Sequence, residues 1–340
     1  MTLLRTTIIA EAGVNHNGDL SLAKRLIDVA AEAGADIVKF QSFKAEFNIA
    51  ADAPKAAYQE RNTGSAESQL EMVRSLELSE ADHDALIAHC AVRGIAFLST
   101  PFDAESIALL KRKGITIGKI PSGEITNKPY MQAMARAFPH LIISTGMCTL
   151  AEVRAALSVL LDAGAEKERI ALLHCNTEYP TPMADVNLRA MGSMREAFGL
   201  PVGYSDHTLG IEVPIAAVAL GATIIEKHVT LDRSMLGPDH RASLEPAELK
   251  AMVQAIRNIE AALGIAQKQP SPSETKNIAI ARKSMHLSRP VAKGEQIAAD
   301  DLIMLRPGDG IPPMRIDEVI GMRTTRDLSK GTKLQEQDLQ

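Results

Sequence analysis

Two kinds of segment alternate along the chain from residue 6 to about residue 264. Short runs rich in apolar and β-branched residues are typical of buried strands, and the longer segments between them carry apolar residues at helical spacing. The predicted strands occupy residues 6–12, 36–41, 95–100, 116–122, 140–146, 170–176, 201–206 and 223–229.

The clearest helical segments end at Gly34, Gly94 and Gly164, where a left-handed C-terminal cap is expected. Strands that alternate with helices predict parallel pairing and βαβ units. Eight such units predict an α/β fold, a (β/α)8 TIM barrel. An open doubly wound sheet is the structural alternative, although no GxGxxG follows the first strand.

Two segments depart from this rhythm. The stretch from Ser42 to Leu78 is too long for one helix and predicts a functional excursion, a lid above the barrel mouth. After Gly264 the chain becomes polar and proline-containing, which is typical of a linker. We therefore predict a barrel domain over 1–264, a linker over 265–280 and a small strand-and-turn domain over 281–340. Two similar phrases, RPVAKGEQIAADDL and RDLSKGTKLQEQDL, recur in that small domain.

Composition narrows the classes of partner. The net charge is -5, with seven Phe, four Tyr and no Trp, so nucleic acid is not an expected partner. No run of 18 apolar residues is present, and Arg5 and Glu11 interrupt the first apolar run. We expect no membrane association and a cytoplasmic location. Three widely spaced cysteines, Cys90, Cys148 and Cys175, do not form a disulfide framework.

Every predicted strand leads into polar side chains at its carboxyl end, which is where barrel enzymes place their active sites. The sequence therefore predicts a site at this mouth of the barrel. These strand-end residues are Glu11, Lys39, Gln41, Ser99, Thr100, Lys119, Ser122, Glu124, Ser144, Asn176, Ser205, Asp206, His207, Glu226, Lys227 and His228.

His207 and His228 end neighbouring strands, so both imidazoles are expected in one mouth. Two neutral histidines with open positions suit a catalytic divalent ion. Glu11 would lie beside the last strand after closure, near enough to hold a metal-bound water. The alternative is a hydrogen-bonded histidine pair without metal.

A second group is cationic and rich in hydroxyls: Lys39, Lys119, Ser122, Ser144 and Ser205. Two ammonium groups with hydroxyl donors suit a small dianion such as phosphate. Lys119 could instead form a Schiff base, as aldolase lysines do. A metal ion favours the phosphate interpretation, because Schiff-base aldolases need none.

Several motifs together resemble the sialic acid synthases, in order and spacing, over essentially the whole chain. The terminal ARKS…LRPGDGIPP is similar to their antifreeze-like SAF domain, a β-clip fold. The barrel motifs are AEAGVNHNGD, VKFQSFKAE, KAAYQERNTG, QLEM, STPFD, KIPSGEITN, ISTGM, LHCNTEYPTP, GYSDHTLG, EKHVTLD and GPDHRAS.

The resemblance implies condensation of phosphoenolpyruvate with an open-chain N-acetylhexosamine, with release of phosphate by C–O cleavage. It implies Glu124, Glu11 and Lys119 as catalytic residues, and a divalent ion, Mn²⁺ ahead of Mg²⁺ or Co²⁺, on His207 and His228. The phosphoenolpyruvate contacts would be Lys39, Thr100, Lys119, Ser122, Ser144, Asn176 (or Thr177 in its place) and Ser205. The sugar contacts would be Gln41, Tyr179, Asp239 and, in the small domain of the partner in a domain-swapped homodimer, Arg306.

Three functions remain open at this stage. The first is N-acetylneuraminate synthesis from N-acetylmannosamine. The alternative is legionaminic acid synthesis from a diacetamido-trideoxy hexose. The segments NTGSAESQLEM and GPDHRAS favour both of these reactions over pseudaminic acid synthesis. The third, a catalytically silent binding protein, conflicts with the complete polar ring at the barrel mouth.

Overall fold

The structure of the protein is a computed structural model that describes residues 5–63 and 68–340. The chain forms two compact units, one that ends at Gly264 and one that begins at Ile265. Each unit has its own hydrophobic core.

The first unit is built on eight parallel strands that form a nearly closed barrel, as predicted. The hydrogen-bonded order is β3-β2-β1-β8-β7-β6-β5-β4, so β3 and β4 are the two ends of the ladder. The strands are β1 (Thr7–Gly13), β2 (Ile37–Ser42), β3 (Ala96–Pro101), β4 (Ile117–Ile120), β5 (His140–Ser144), β6 (Ile170–Cys175), β7 (Val202–Asp206) and β8 (Ile224–His228).

Helices connect these strands and cover the barrel. Gly34 and Gly94 are left-handed C-caps, as predicted, with φ of 82° and 69°. The third predicted cap is displaced by one residue, because Ala163 is the C-cap and Gly164, with φ of 103°, follows it. Within the described ranges, no helix is both long enough and apolar enough to cross a membrane. The helices are α1 (Leu20–Ala33), α2 (Ala45–Asn48), α3 (Ala57–Thr63), α4 (Gln69–Arg74), α5 (Glu80–Arg93), α6 (Ala104–Arg112), α7 (Lys128–Ala137), α8 (Leu150–Asp162), α9 (Ala190–Phe198), α10 (Glu212–Ala219) and α11 (Pro246–Leu263).

The fourth strand is shorter than the predicted segment 116–122. β4 ends at Ile120, and a 3-10 turn over Ser122–Glu124 follows Pro121. Proline has no N–H to donate to a ladder, so it ends the strand there. Ser122 and Glu124 therefore lie on a turn after the strand rather than on the strand itself.

The barrel interior is apolar below and polar above. A buried cluster within it is formed by Ile9, Ile37, Leu98, Ile142, Leu173 and Ile224. Alternate residues of a strand share a face, so the residue two positions after each of these apolar residues also points into the barrel, nearer its carboxyl end. The polar residues at these positions are Glu11, Lys39, Thr100, Ser144 and Glu226. The apolar layer thus forms a floor on which these polar side chains stand.

The predicted excursion between β2 and β3 folds as α2, α3 and α4, and its residues Gly64–Glu67, which belong to the NTGSAES motif, lie outside the described residues. Its two ends are joined by Lys44, whose ammonium is 3.1 Å from the Glu77 carboxylate. Phe43 and Leu76 from its two ends pack with Val14 in a small apolar cluster.

The second unit contains α12 (Pro272–Ala281), β9 (Ser284–Leu287), β10 (Leu302–Leu305) and α13 (Ile316–Val319), and β9 pairs with β10 in antiparallel fashion. Most of α12 lies in the segment 265–280 that the sequence predicts as a linker. The two recurring phrases fold alike: Arg289 donates to Asp301 and Arg326 to Asp338, twelve residues apart in each case.

Candidate active site

A cavity of about 460 Å³ opens at the carboxyl ends of the barrel strands, and all eight strands contribute to its wall. Most of the residues that the sequence predicts for the site lie on this wall. They are Glu11, Lys39, Gln41, Thr100, Lys119, Ser122, Glu124, Ser144, Tyr179, Ser205, His207, Glu226, His228 and Asp239.

Four of the predicted strand-end residues are not part of this wall: Ser99, Asn176, Asp206 and Lys227. Thr177 lines the cavity, whereas the Asn176 side chain accepts a hydrogen bond from the Glu178 N–H at 2.8 Å and shapes the loop after β6. Arg306 belongs to the second unit, where its Nε donates to the Ala281 carbonyl at 3.0 Å.

The floor of the cavity carries a cluster of two lysines and two glutamates, all at most 5% exposed. Lys39 Nζ lies 2.7 Å from Glu11 Oε2 and 3.6 Å from Glu226 Oε2. Lys119 Nζ lies 3.4 Å from Glu226 Oε1. Glu226 therefore stands between two ammonium groups.

Hydroxyl groups complete this cluster. Lys39 donates to Thr100 Oγ1 at 3.1 Å, and Lys119 donates to Ser144 Oγ at 2.8 Å. Ser205 Oγ donates to Glu226 Oε1 at 2.9 Å. Lysine and hydroxyl donors thus converge on one end of the cavity, which suits an anion with several acceptor oxygens.

Burial and neighbouring charges oppose each other in setting the pKa values of the cluster. Burial raises the pKa of Glu11 to about 7, against the lowering effect of Lys39. Burial also raises the pKa of Glu226, but Lys119 and Lys39 outweigh it and bring that pKa to about 2. Glu226 is therefore a carboxylate at neutral pH. Burial lowers the pKa of Lys119, and Glu226 opposes this effect.

His207 and His228 converge as predicted, with their ring centroids 5.4 Å apart. His207 Nδ1 is 2.5 Å from the Asn176 carbonyl oxygen, which can only accept a hydrogen bond. Nδ1 therefore carries the ring proton, and the Nε2 lone pair is free to bind a metal ion. His228 Nδ1 is buried, and no group in residues 5–63 or 68–340 hydrogen-bonds to it. Burial lowers the pKa of His207 to about 4 and that of His228 well below its usual value, so both rings are neutral.

These features fit a divalent ion held by two protein ligands. Neutral imidazole is the form that binds metals, and a ligating histidine commonly donates its other N–H to a carbonyl. Asp239 Oδ2 lies 4.0 Å from His228 Nδ1. The described residues contain no cluster of three or more histidine, cysteine or carboxylate groups that could enclose a metal. The remaining positions would stay open to water or substrate.

A buried ion pair behind the barrel wall supports both histidines. Lys227, between Glu226 and His228, has its Nζ 2.5 Å from Asp206 Oδ2, and both side chains are fully buried. Asp206 also accepts from the N–H and hydroxyl of Thr208 at 3.1 and 3.0 Å. The residues on both sides of His207 are thereby tied to β8.

The loop after β1 supports Asp239 in a similar way. Asn15 Nδ2 donates to the Val229 carbonyl at 2.9 Å and to Ser243 Oγ at 2.8 Å. Asn17 Nδ2 donates to the Leu236 carbonyl at 2.9 Å. The NHNGD motif thus braces the loop after β8 that carries Asp239.

Sequence reasoning assigned no function to Glu226 or to the Lys227–Asp206 pair. The sequence already placed Glu226 at the barrel mouth, and its spacing of two residues from His228 on the same strand accounts for its position on the wall. The ion pair depends on the β7–β8 register, in which Asp206 faces Lys227. That register is a tertiary property, and the sequence does not reveal it.

Comparison with known proteins identifies the family. The profile of the NeuB family matches residues 26–268, and the SAF domain profile matches residues 282–340. The chain is 53% identical over 332 residues to the N,N'-diacetyllegionaminic acid synthase of Campylobacter jejuni, covering 98% of this chain and 99% of that protein. For the Legionella pneumophila enzyme of the same name, identity is 51% over 329 residues, covering 96% of this chain and 92% of that protein.

More distant similarities agree. The human N-acetylneuraminate-9-phosphate synthase is 33% identical over 333 residues, covering 97% of this chain and 91% of that protein. The N-acetylneuraminic acid synthetase structure from Leptospira borgpetersenii, in complex with citrate, has a TM-score of 0.71 at 36% identity and covers 81% of this chain and 91% of that one. The resemblance seen in the sequence is confirmed: the chain belongs to the NeuB family of sialic acid synthase enzymes and carries a SAF domain.

Proposed function

We propose that this protein condenses phosphoenolpyruvate with a diacetamido-trideoxy hexose to give N,N'-diacetyllegionaminic acid and inorganic phosphate. The observation that carries this proposal is an identity of 53% and 51%, over nearly the whole chain, to two enzymes of that name. The value for the human N-acetylneuraminate-9-phosphate synthase is 33%. The acceptor that the sequence analysis ranked second therefore becomes the first candidate.

N-acetylneuraminate synthesis from N-acetylmannosamine remains the second candidate. The similarity to the Leptospira synthetase, at 36% identity, favours it. Both reactions use the same donor and the same bond changes, so they share one chemistry and differ in the acceptor.

The cavity wall away from the lysines supports an acceptor with fewer hydroxyl groups. Its apolar residues come from the excursion between β2 and β3 and from neighbouring loops. They are Val14, Phe43, Ile49, Met72, Val73, Leu76 and Phe102. A trideoxy sugar presents methyl and acetamido groups where a hexose presents hydroxyls, and burying a hydroxyl against such a wall without a partner is unfavourable.

At the opposite end, Lys39, Lys119 and Ser144 would hold the phosphate of phosphoenolpyruvate, with Thr100, Ser122 and Ser205 beside them. Their hydrogen bonds exist before substrate arrives, so the donors need little rearrangement during the reaction. Phosphate bound here would fix the position of C3, which attacks the acceptor aldehyde, and of C2, to which water then adds.

We also propose that His207 and His228 hold a divalent ion, with Mn²⁺ preferred over Mg²⁺ or Co²⁺. When bound, such an ion acts as a Lewis acid on the acceptor carbonyl oxygen. Glu11, Gln41, Tyr179 and Asp239 would orient the sugar around it. Glu124, whose carboxylate accepts from Asn127 Nδ2 at 2.6 Å, is the proposed base for the water that adds at C2.

Exposed apolar side chains on the segments that follow the strands support assembly into a homodimer. They are Phe47, Met147, Met183, Leu209 and Leu236, each 49–76% exposed. Apolar patches around a polar cavity mark interaction surfaces. We propose that the partner's small domain covers this mouth and brings its Arg306 to the sugar. Because phosphoenolpyruvate is a cytoplasmic metabolite, we also propose a cytoplasmic location.

The test is phosphate release from phosphoenolpyruvate with Mn²⁺, beside an EDTA-treated sample, with a diacetamido-trideoxy mannose and N-acetylmannosamine as rival acceptors. We expect a higher kcat/KM with the trideoxy sugar. A preference for N-acetylmannosamine would select the second candidate, and no release with either would refute both. K39M should lose turnover, whereas K44M, a lysine outside the cavity wall, should retain it.

Subunit exchange tests the dimer. Neither R306A nor K39M should turn over efficiently alone. If Arg306 serves the partner's barrel, a mixture of the two variants forms hybrids with one intact site, and part of the turnover returns. A mixture no more active than its components would contradict the proposed exchange.

A further inference from the structure

Two lysines and two glutamates share the cavity floor before any substrate binds. Lys39 and Lys119 contribute two positive charges, and Glu11 and Glu226 two carboxyl groups. A site that only needed to bind an anion tightly would gain from the lysines alone. The two glutamates reduce that attraction, so their presence requires a physical explanation.

Glu226 differs from Glu11 in what it contacts. Its carboxylate lies between both ammonium groups, at 3.4 Å from Lys119 and 3.6 Å from Lys39, and it accepts a hydrogen bond from Ser205. Its Oε2 has no hydrogen-bond partner among the residues that the structure describes. That atom interacts with Lys39 through charge rather than through a hydrogen bond.

We propose that Glu226 is a charge-balancing residue that weakens the hold of Lys39 and Lys119 on inorganic phosphate, so that the product leaves after turnover. This inference rests on the proposed function, in which these lysines bind the phosphate group of phosphoenolpyruvate. Phosphoenolpyruvate has a carboxylate and an enol framework with which to bind, whereas free phosphate has only its own oxygens. A weaker phosphate site therefore affects the product more than the substrate.

Geometry explains why the position of Glu226 is effective. Coulomb interactions between groups a few ångströms apart are strong in a buried site, where solvent screens them poorly. A carboxylate beside both lysines repels the same dianion that the lysines attract. The Ser205 hydrogen bond fixes the carboxylate there, and the rigid β8 backbone carries it.

The decisive variant is E226Q, which keeps the shape and an acceptor for Ser205 but removes the charge. Inorganic phosphate should bind to the EDTA-treated E226Q protein about tenfold more tightly than to wild type, as measured by calorimetry. Phosphate should also become a stronger product inhibitor of the Mn²⁺-loaded enzyme by a similar factor. The matched control is E77Q, because Glu77 also pairs with a lysine, Lys44, but lies outside the cavity wall, and the phosphate affinity of this variant should match that of wild type.

The proposal and a purely structural role of Glu226 predict opposite changes in the phosphate affinity of E226Q. If Glu226 only holds the lysines in place, E226Q binds phosphate less tightly or equally, and either result overturns the proposal. A double variant, K119M/E226Q, keeps the test valid if E226Q alone does not fold, because it removes both members of a buried pair. It should bind phosphate more tightly than K119M, and an affinity equal to or below that of K119M would also overturn the proposal.

The two levels of inference fail differently. If wild-type protein binds phosphate but E226Q binds it no more tightly, the role of Glu226 is wrong and the synthase reaction is unaffected. If wild-type protein neither binds phosphate nor releases it from phosphoenolpyruvate, the phosphate site itself is wrong, and both proposals fail.

Discussion

The buried ion pair behind the histidines offers the sharpest stability prediction. Asp206 and Lys227 side chains are both 0% exposed, and Asp206 Oδ2 lies 2.5 Å from Lys227 Nζ. Asp206→Asn preserves the shape but leaves the lysine without its counter-charge. Breaking a buried pair in this way costs about 3–5 kcal/mol of the free energy of unfolding. Burial already lowers the pKa of Lys227, and Asp206 opposes that effect in the native protein.

The assay is urea denaturation of the intact chain, followed by circular dichroism. The two compact units can unfold separately, so the barrel transition is the one to compare. The matched control is Glu32→Gln, which breaks the ion pair to Arg93, 2.8 Å long, on the barrel surface, with exposures of 70% and 33%. Such exposed pairs contribute about 0–1 kcal/mol.

Two results would refute the reasoning. One is a loss of unfolding free energy in D206N that is no larger than the loss in E32Q. The other concerns the double variant D206N/K227M, in which no uncompensated charge remains. Its unfolding free energy should lie above that of D206N, since replacing a buried pair costs less than breaking it. A double variant less stable than D206N would show that the pair is not the source of the effect.

Three further predictions concern the site. Mn²⁺ affinity, measured by calorimetry, should fall at least about tenfold in H207A with little change in thermal stability of the metal-free protein, and unchanged affinity would remove His207 as a ligand. Burial raises the pKa of Asp239 from 3.8 to about 6, so its contribution to stability is present below pH 3.8 and is lost as pH rises through 6. As pH rises from 4 to 7, the unfolding free energy of D239N should therefore increase by about 3 kcal/mol relative to that of metal-free wild type. If the unfolding free energies of the two proteins change with pH in parallel, the raised pKa of Asp239 is contradicted. Gly18→Ala should destabilise the barrel by more than about 1 kcal/mol in urea, because Gly18 has φ of 75° and a Cβ there would lie 2.4 Å from the Ser75 carbonyl oxygen. A neutral effect would mean that the loop relaxes.

The sequence predicted those parts of the site that follow from strand periodicity. Lys39, Ser144 and His228 lie on regular strands, so alternation alone assigns them to the interior. Periodicity does not predict where a strand ends, and it left Asn176 and Thr177 as alternatives. Pro121 stops β4 before Ser122, and the turn after β6 puts Thr177 rather than the Asn176 side chain on the cavity wall. Backbone geometry after a strand depends on local turn hydrogen bonds, such as Glu178 N–H to Asn176, which no periodicity encodes.

The same distinction explains why the donor was easier to predict than the acceptor. The proposed phosphoenolpyruvate end stands mainly on the ends of β2, β3, β4, β5 and β7, where regular backbone and the apolar layer below fix the side chains. The proposed sugar end is formed by Met72, Val73 and Leu76 of the excursion, and by the loop of Asp239. Asn62 links the excursion to the loop of Asp239, because its Nδ2 donates to the Pro238 carbonyl at 2.7 Å, a contact between residues 176 positions apart in the sequence. A contact so distant in sequence arises only in the folded chain. If this end of the cavity holds the sugar as proposed, substitutions on this surface, which tertiary packing assembles, should alter sugar preference while leaving phosphate binding intact.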